Sequence, residues 1–389
     1  MKISVICHDL SGNNLVRAYP IVKVLEKHYE VEVLGVVFGD GIFPPYRNEF
    51  NYKCVTLSES GGKFSLNKTV RFPGFFGVLK KLMGMIEGDV VYAYKPMLSS
   101  LGVGIMAKYV RGLPLVLDIE DWDARPFLDL SHKEKISALR WIQYPSNDWF
   151  PILMEPLVNV ADYITVASSF LQRKFGGIRL PHGADCSFFD PAKYDRNEIR
   201  RKLGIEGKKI ILFAGTPRLH KGMEELLSAI RLIDSDSIKL MVVGFDTEYW
   251  RILQKQIRSD SVISIGPRPH SEMPQILSCS DLVVIPQRQT RYSEAQIPAK
   301  VFEAMAMAKP IIATSVSDLP EILEGCGWIV PPERPGELAG MITEVFDHPL
   351  LAGKNGLLAR KKCIDHYSWE AMETKLTKML DTLGKKCRS

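Results

Sequence analysis

Short, continuously apolar runs alternate with longer amphipathic stretches through the first half of the chain. Stretches such as 15–29 and 98–111 have helical periodicity. An apolar run without polar alternation is typical of a strand in a parallel sheet that is covered by helices on both faces. The runs that predict such strands are 2–7, 31–37, 52–57, 89–94, 114–119 and 162–166.

The same alternation begins again in the second half, with strands predicted at 209–214, 238–243, 261–265, 281–285, 310–313 and 327–330. Between the two series, segment 178–208 is polar, rich in turn residues and without strand periodicity. We therefore predict an α/β protein with two doubly wound, Rossmann-like domains, 1–180 and 181–366. A C-terminal amphipathic helix in 367–389 is expected to pack back on the first domain. The cleft between the domains is the expected ligand site.

Composition narrows the class of protein. The 389 residues carry a formal net charge of +5, which does not indicate nucleic-acid binding but is compatible with an anionic ligand or an anionic membrane surface. The seven cysteines contain no C-x-x-C pair, which favours a reducing cytoplasm. The apolar run at 2–7 is too short for the core of a signal peptide. No run reaches the roughly 20 apolar residues of a membrane span, so any membrane contact is expected to be peripheral.

The segment GTPRLHKG at 215–222 lies between a predicted strand and a predicted helix. A turn of small residues from Gly215 lets the backbone approach a ligand, and the following helix start offers unpaired N–H groups. Arg218 and Lys221 add positive charge, so the segment suits a diphosphate. The alternative is an ordinary turn with two solvated cations.

The segment SEAQIPAKVFEAMAMAKPIIAT at 293–314 follows another predicted strand and contains a helix of small residues. Glu303 falls inside this helix, where its carboxylate could accept both hydroxyl groups of a ribose. The alternative is a solvated helix glutamate.

These two segments, together with DLPEILEGCGWIVPP, PHGAD at 181–185 and YSWE at 367–370, resemble glycosyltransferase family 4. The resemblance is strong over about 180–385, and it is specific because the order and spacing of the motifs match. It implies the GT-B fold and a retaining glycosyltransferase. The implied reaction takes a sugar from a nucleotide-diphosphate-sugar to a glycan or lipid-linked acceptor, in the synthesis of cell-surface polysaccharides or glycoconjugates.

The resemblance also implies residue roles in the second domain. Lys221 matches the lysine that holds the donor diphosphate, while the usual arginine falls at Thr216, with Arg218 as its substitute. Glu303 matches the second glutamate of the E-x7-E motif, which binds the ribose. The first glutamate falls at Ala295, and Glu294 is adjacent.

Three further donor contacts are implied. The backbone N–H groups of Gln296 and Ile297 are expected to face the sugar and the phosphates, and GPRPH, with Arg268, to bracket the base. In the first domain, HDLSGNN resembles the family's glycine-rich loop, with Gly12 supplying flexibility and Asn13 beside it. The alternative for that loop is a simple turn.

The run LVLDIEDWD at 115–123 ends a predicted strand on several carboxylates. Many relatives carry a histidine near this point, where Glu120 and Asp121 are the nearest candidates here. They could orient hydroxyl groups or accept the acceptor's proton, and a close acidic pair would raise one pKa. The alternative is that they cap the strand end.

Two other patterns are weaker. GVGIMA at 102–107 matches a dinucleotide fingerprint but lies inside a helical pattern. Asp121-Trp122-Asp123 resembles the D-x-D metal motif of the other glycosyltransferase fold, in the wrong architecture, so we expect no obligatory metal and no cofactor besides the donor.

Two aromatic and basic segments could contact an anionic membrane. Segment 71–88 includes Arg71, Lys80 and Lys81, and segment 132–158 includes Trp141, Tyr144, Trp149 and Phe150. The alternative is that both segments are core-packing helices with solvated lysines.

Two rival functions remain open on the same architecture. One is a nucleotide-sugar epimerase, and the other is a non-catalytic subunit that binds a nucleotide-sugar.

Overall fold

The computed structural model describes residues 1–57, 72–140, 144, 147 and 149–386. The chain divides into two compact units. The first comprises Met1–Pro181 together with the chain from Met372 onward, and the second comprises His182–Ala371.

The first unit is built on a parallel sheet in the order β3-β2-β1-β4-β5-β6-β7. Its strands are β1 (Lys2–Asp9), β2 (Glu30–Val37), β3 (Tyr52–Thr56), β4 (Val90–Tyr94), β5 (Leu115–Ile119), β6 (Tyr163–Val166) and β7 (Ile178–Arg179). The described helices are α1 (Leu15–Leu25), α2 (Phe75–Gly84), α3 (Val103–Arg111), α4 (Arg125–Leu128), α5 (His132–Leu139), α6 (Trp149–Met154) and α7 (Ser169–Phe175).

The second unit repeats this plan with a parallel sheet in the order β10-β9-β8-β11-β12-β13. Its strands are β8 (Lys209–Ala214), β9 (Ile238–Val243), β10 (Val262–Ile265), β11 (Leu282–Ile285), β12 (Ile311–Thr314) and β13 (Trp328–Val330). Its helices are α8 (Arg196–Lys202), α9 (Met223–Ile233), α10 (Glu248–Gln254), α11 (Met273–Cys279), α12 (Arg291–Ala295), α13 (Lys300–Ala306), α14 (Leu319–Leu323), α15 (Pro335–Asp347) and α16 (Pro349–Lys362).

The final helix, α17 (Trp369–Lys386), starts in the second unit and runs into the first. Glu373 of this helix accepts from Lys27 Nζ at 2.8 Å and lies 2.6 Å from His28 Nε2. These contacts attach the end of the chain to the residues that follow α1.

Burial of both faces of the sheet explains why the strands are apolar throughout. In β8, Ile210 and Leu212 belong to one core cluster, while Ile211 and Phe213 belong to another. Successive side chains of a strand point to opposite faces, so each face of this sheet has its own core. The prediction of two doubly wound domains is confirmed.

One prediction about segment 178–208 is wrong, because β7 lies at its start and pairs with β6 through Thr165–Ile178 and Val166–Arg179. A strand of two residues is too short to produce a periodic pattern. The GVGIMA run lies at and within the start of α3, as predicted. Among the described residues, no helix combines the length and apolar composition needed to cross a bilayer.

Each sheet reverses its direction of growth beside its first strand, between β1 and β4 and between β8 and β11. Such reversals open a crevice at the carboxyl ends of the strands, where ligands of these folds bind.

Gly222 fixes the turn from β8 to α9 in the second unit. Its φ is +66°, and an ideal Cβ at this position would lie 1.7 Å from the carbonyl oxygen of Pro286, just beyond β11. The turn can therefore approach β11 only because residue 222 has no side chain.

We expect Gly222→Ala to lower the free energy of unfolding by about 3 kcal/mol or more, because it combines a backbone clash with a left-handed conformation. Gly340→Ala is the matched control. Gly340 is an exposed residue of α15 with open space around its Cα, so alanine there should raise stability by about 0.5–1 kcal/mol. Urea unfolding followed by circular dichroism measures both changes. Equal stabilities for the two variants would contradict the role assigned to Gly222.

Candidate functional site

The loop from Gly215 to Gly222 leaves the carboxyl end of β8 and holds two of the predicted site cations. Thr216 Oγ1 accepts a hydrogen bond from Phe245 N at 3.3 Å, which ties the loop to the residues that follow β9. An ideal Cβ at Gly215 would lie 3.3 Å from Lys221 Nζ. The Lys221 ammonium group is therefore folded back over the start of its own loop.

The pKa of Lys221 is lowered to about 8, by burial first and then by the positive charges of Arg218 and Lys300. These three cations lie close enough to repel one another. A site with this charge favours an anionic ligand, since the ligand would relieve the repulsion.

Glu303 lies on α13 with its side chain 9% exposed, so it is not a solvated helix residue. Lys300 Nζ lies 3.0 Å and 3.1 Å from its two carboxylate oxygens, and His270 Nε2 lies 3.6 Å from Oε1. Burial opposes ionisation, but Lys300 and His270 outweigh it and lower the pKa of Glu303 to about 2. The carboxylate is therefore ionised at neutral pH.

The residues between α12 and α13 differ in part from expectation. Ala295 is fully buried, and Glu294 accepts a hydrogen bond from Gln289 Nε2 at 2.7 Å. The backbone N–H of Gln296 donates to Ser293 O at 3.3 Å, a hydrogen bond at the end of α12. Its contact with a ligand stays a prediction. The side chain of Ile297 is buried in the core.

The loop before α11 contributes His270 and Arg268. His270 stacks on Phe188 with ring centroids 5.8 Å apart. Arg268 is exposed and lies 3.6 Å from Glu272, so it remains accessible at the surface.

In the first unit, the loop after β1 is held by Asp9. Its carboxylate accepts from Ser11 N at 2.8 Å, and Ser11 Oγ accepts from Gly39 N at 2.9 Å. Gly12 does not adopt a left-handed conformation, and the flexibility expected of it stays a prediction. A Cβ at Gly12 would lie 3.2 Å from Asp9 Oδ2, which makes close packing the reason for glycine. Asn13 O accepts from Val16 N at the start of α1.

His8 lies in the same region and was not singled out by the sequence pattern. Its Nδ1 lies 2.6 Å from Ser99 Oγ. Burial and the nearby Lys95 lower the pKa of His8 to about 4, against the effect of Asp9, so the ring is neutral at neutral pH.

Glu120 follows β5 and accepts a hydrogen bond from the hydroxyl group of Tyr94 at the end of β4. Burial raises the pKa of Glu120 well above its usual range, and the negative charges of Asp121 and Asp123 raise it further. The surroundings of Glu120 therefore favour its protonated form. The predicted rise of one pKa in this acidic group is present.

Lys95 follows β4 and was also not predicted. Its Nζ donates to Asp121 Oδ2 at 3.0 Å and to Asp123 Oδ1 at 2.9 Å. Because β4 and β5 are neighbours in the sheet, their carboxyl ends bring this lysine beside both carboxylates. In the sequence, Lys95 is visible only as a polar residue after β4. The order of the strands is needed to show that it lies beside the carboxylates that follow β5.

A buried ion pair fixes the end of β5. Arg17 on α1 donates to Asp118 through Nε and Nη2, both at 2.9 Å, and both side chains are fully buried. Nη2 also donates to the carbonyl of Leu180 at 2.7 Å. The described residues contain no group of three His, Cys, Asp or Glu side chains arranged to hold a metal ion. The absence of an obligatory metal stays a prediction.

Comparison with known proteins shows what the second unit is similar to. Residues 208–348, which include Lys221 and Glu303, match the family model described as "Glycosyl transferases group 1". The match runs from just before β8 to the end of α15.

Several curated relatives of this chain are enzymes by name. An alpha-D-kanosaminyltransferase of Streptomyces kanamyceticus is 29% identical, over 44% of this chain and 46% of the relative. A GDP-mannose-dependent mannosyltransferase of Corynebacterium glutamicum, which acts on a monoacylated phosphatidylinositol monomannoside, is 25% identical, over 57% of this chain and 62% of the relative. In both, the match spans less than two thirds of the relative's own length.

Solved structures extend the similarity to the whole chain. HepE of Anabaena, in complex with UDP and glucose, has a TM-score of 0.71 at 19% identity, covering 98% of this chain and 99% of that one. A sucrose-phosphate synthase of Thermosynechococcus elongatus reaches 0.74 at 19% identity, over 99% and 100%. These similarities confirm the GT-B fold. A putative UDP-N-acetylglucosamine 2-epimerase of Listeria monocytogenes also matches, at 0.63 and 14% identity over 99% and 97%, so fold alone does not separate transferase from epimerase.

Because the folded state disfavours the charged form of Lys221, we expect Lys221→Met to raise the free energy of unfolding at pH 7 by about 1–2 kcal/mol. The pKa of Lys221 is about 8 in the folded chain, against an ordinary 10.5. The charged lysine therefore destabilises the fold fully below pH 8 and loses this effect between pH 8 and 10.5. The gain from methionine should shrink over the same interval.

Urea unfolding of both proteins at pH 7 and pH 10 measures this difference. Lys255→Met, at an exposed lysine after α10, is the control and should change stability little at either pH. A gain at Lys221 that does not vary with pH would show that its charge is not the cause.

Proposed function

We propose that this protein is a retaining glycosyltransferase of family 4 that moves a sugar from a nucleotide-diphosphate-sugar to a glycan or lipid-linked acceptor. The observation that carries the proposal is the pairing of Lys221 and Glu303 within one group 1 glycosyltransferase domain, with Lys221 after β8 and Glu303 on the helix that precedes β12. The named transferases among the relatives support it. Synthesis of cell-surface polysaccharides or glycoconjugates is the proposed setting.

The donor is proposed to bind at the carboxyl edge of the second sheet. Ionised Glu303 accepts the ribose hydroxyl groups, while Lys221 and Arg218 hold the diphosphate. As the glycosidic bond breaks, negative charge grows on the leaving diphosphate. The cations stabilise that charge, and they are already in place before the reaction, so little reorganisation is needed.

The first unit is proposed to bind the acceptor at the carboxyl edge of its own sheet. The surroundings of Glu120 raise its pKa and favour its protonated form, which suits hydrogen bonding to a hydroxyl group. Asp121 is paired with Lys95, which keeps a negative charge at this edge compensated. We therefore assign orientation of the acceptor to Glu120 and Asp121.

The buried Ala295 and the Glu294–Gln289 hydrogen bond give a specific reason to test a non-catalytic role, because no carboxylate from this short helix is directed to a ligand. A non-catalytic subunit would bind donor and transfer nothing across an acceptor panel. An epimerase would convert the donor sugar without any acceptor. Assays with and without acceptor therefore separate the three functions.

We expect Lys221→Ala and Glu303→Ala each to lower the rate of sugar transfer by about a hundredfold, because each removes a charged contact to the donor in an enclosed site. Transfer from UDP-, GDP- and ADP-sugars to an acceptor panel is the measurement. Lys255→Ala, an exposed lysine elsewhere in the second unit, is the control and should retain wild-type activity. Near-wild-type transfer by both site variants would overturn the donor site.

We further propose a cytoplasmic enzyme that associates peripherally with the anionic inner face of a membrane through the first unit. Phe76 on α2 is 62% exposed beside exposed Lys80 and Lys81, and Ile136 on α5 is 67% exposed. Other apolar residues of α2, such as Phe75, are buried in the core, so only part of the predicted surface is available. Arg71 and Trp141 lie outside the described residues.

We expect the protein to co-sediment with liposomes that contain anionic phospholipid at low salt and to be released at high salt, because lysine charges are screened by ions. A Phe76→Ser, Ile136→Ser double variant should bind several-fold less. Neutral phosphatidylcholine vesicles serve as the control. No binding of the wild-type protein to anionic vesicles at low salt would rule out this surface.

A further inference from the structure

Lys300, the first residue of α13, was not among the predicted site residues but makes a specific contact with one of them. Its ammonium group donates to both carboxylate oxygens of Glu303, at 3.0 Å and 3.1 Å. An ammonium group has three N–H donors. Across the described parts of the chain, the third donor of Lys300 meets no acceptor, and the side chain is 32% exposed. A ligand can therefore reach it.

Glu303 is the carboxylate that anchors Lys300. The other glutamate of this segment already accepts a hydrogen bond from a different residue. Glu294, which precedes Ala295, accepts from Gln289. Ala295 itself has no charge to offer. Glu303 thus fixes the orientation of the Lys300 ammonium group, whose third N–H remains available as a donor.

The charges around Lys300 match a diphosphate. Arg218 and Lys300 both act electrostatically on Lys221 and lower its pKa. Glu303 offsets one of these three positive charges through its ion pair with Lys300. A diphosphate that links a nucleoside to a sugar carries two negative charges at neutral pH.

We propose that Lys300 is a donor-binding residue that contacts the diphosphate through its third N–H, with Glu303 as its anchor. This inference rests on the proposed function and adds a residue to its donor site. Lys300 thereby extends the contacts of α13 from the ribose, which Glu303 is proposed to bind, to the phosphates. One short helix then contacts both of these groups of the donor.

The alternative is that Lys300 and Glu303 form an ordinary helix ion pair. An i,i+3 pair of this kind contributes only about 0.2–0.5 kcal/mol to an isolated helix. Removing Lys300 would then change the affinity for any ligand very little. A direct phosphate contact is a charge-assisted hydrogen bond, and its loss should weaken binding about tenfold.

Isothermal titration of the full chain at pH 7 with UDP, GDP and ADP first selects the nucleoside diphosphate that binds most tightly. Titration of Lys300→Met with that diphosphate and with its nucleoside then tests the contact. We expect about tenfold weaker diphosphate binding and nucleoside binding within about threefold of wild type. Lys300→Arg should recover most of the diphosphate affinity. Lys354→Met, at an exposed lysine of α16, is the control and should match wild type.

The pH dependence gives a second measure, which a merely structural role would not change. Lys221 is affected by the charges of Arg218 and Lys300, while Glu303 pairs with Lys300 and lies 3.6 Å from His270. Diphosphate affinity should decline as pH rises past about 8, because Lys221 loses its proton. Without the like charge of Lys300, the pKa of Lys221 rises, so the decline should move to higher pH in Lys300→Met and stay in place in Lys300→Arg.

The outcomes are distinct. Wild-type protein that binds none of the three nucleoside diphosphates would overturn both the proposed function and the role of Lys300. Tight wild-type binding with unchanged affinity in Lys300→Met would overturn the role of Lys300 alone. An equal loss for diphosphate and nucleoside would also overturn it, since Lys300 would then act only through the ribose. Lys300→Gln repeats the test if the methionine variant does not fold.

Discussion

The close approach of Gly222 to the carbonyl group of Pro286 is the constraint on which the second unit's site depends. Residue 222 must lack a side chain and must adopt a left-handed conformation, because an ideal Cβ there would lie 1.7 Å from that oxygen. Lys221 immediately precedes this glycine and α9 immediately follows it. The same contact that joins the ends of β8 and β11 therefore sets the position of the lysine and the start of the helix. Gly244, which follows β9, makes a similar close approach to the start of the same loop, since an ideal Cβ there would lie 2.5 Å from Gly215 O.

The two units place different charged groups at the carboxyl edges of similar sheets. In the first, Lys95 pairs with Asp121 and Asp123, and these two carboxylates raise the pKa of the neighbouring Glu120. The buried Arg17–Asp118 pair fixes the end of β5. In the second, cations gather around Glu303. The parallel sheet explains why charge collects at this edge, because the chain leaves every strand on the same side. What each edge binds is decided by the few residues that follow the strands, and those residues differ completely between the units.

The hydrophobic pattern predicted most of the architecture, because strands buried on both faces must be apolar throughout. It missed β7, whose two residues cannot show a period. Lys221 and Glu303 could be singled out from motifs, since their proposed roles depend only on position along the chain. Lys95 and Lys300 could not, because their partners depend on strand order and on the direction of a side chain. The paired Glu294 and the N–H of Gln296 show the same limit, since local capping and side-chain bonds consume groups that a motif leaves available.

A lysine with a lowered pKa is unfavourable for the folded chain, and its retention has a physical explanation in binding. Burial and two neighbouring cations make the charge on Lys221 costly before any ligand arrives. An anionic ligand removes that repulsion, so part of its binding energy is the release of strain already stored in the fold. In the proposed reaction, the same arrangement lets the cations stabilise the charge on the leaving group without moving, which is the condition for effective electrostatic stabilisation. Stability and the proposed function are thus opposed at one residue, and the opposition is strongest below pH 8, where the lysine remains charged.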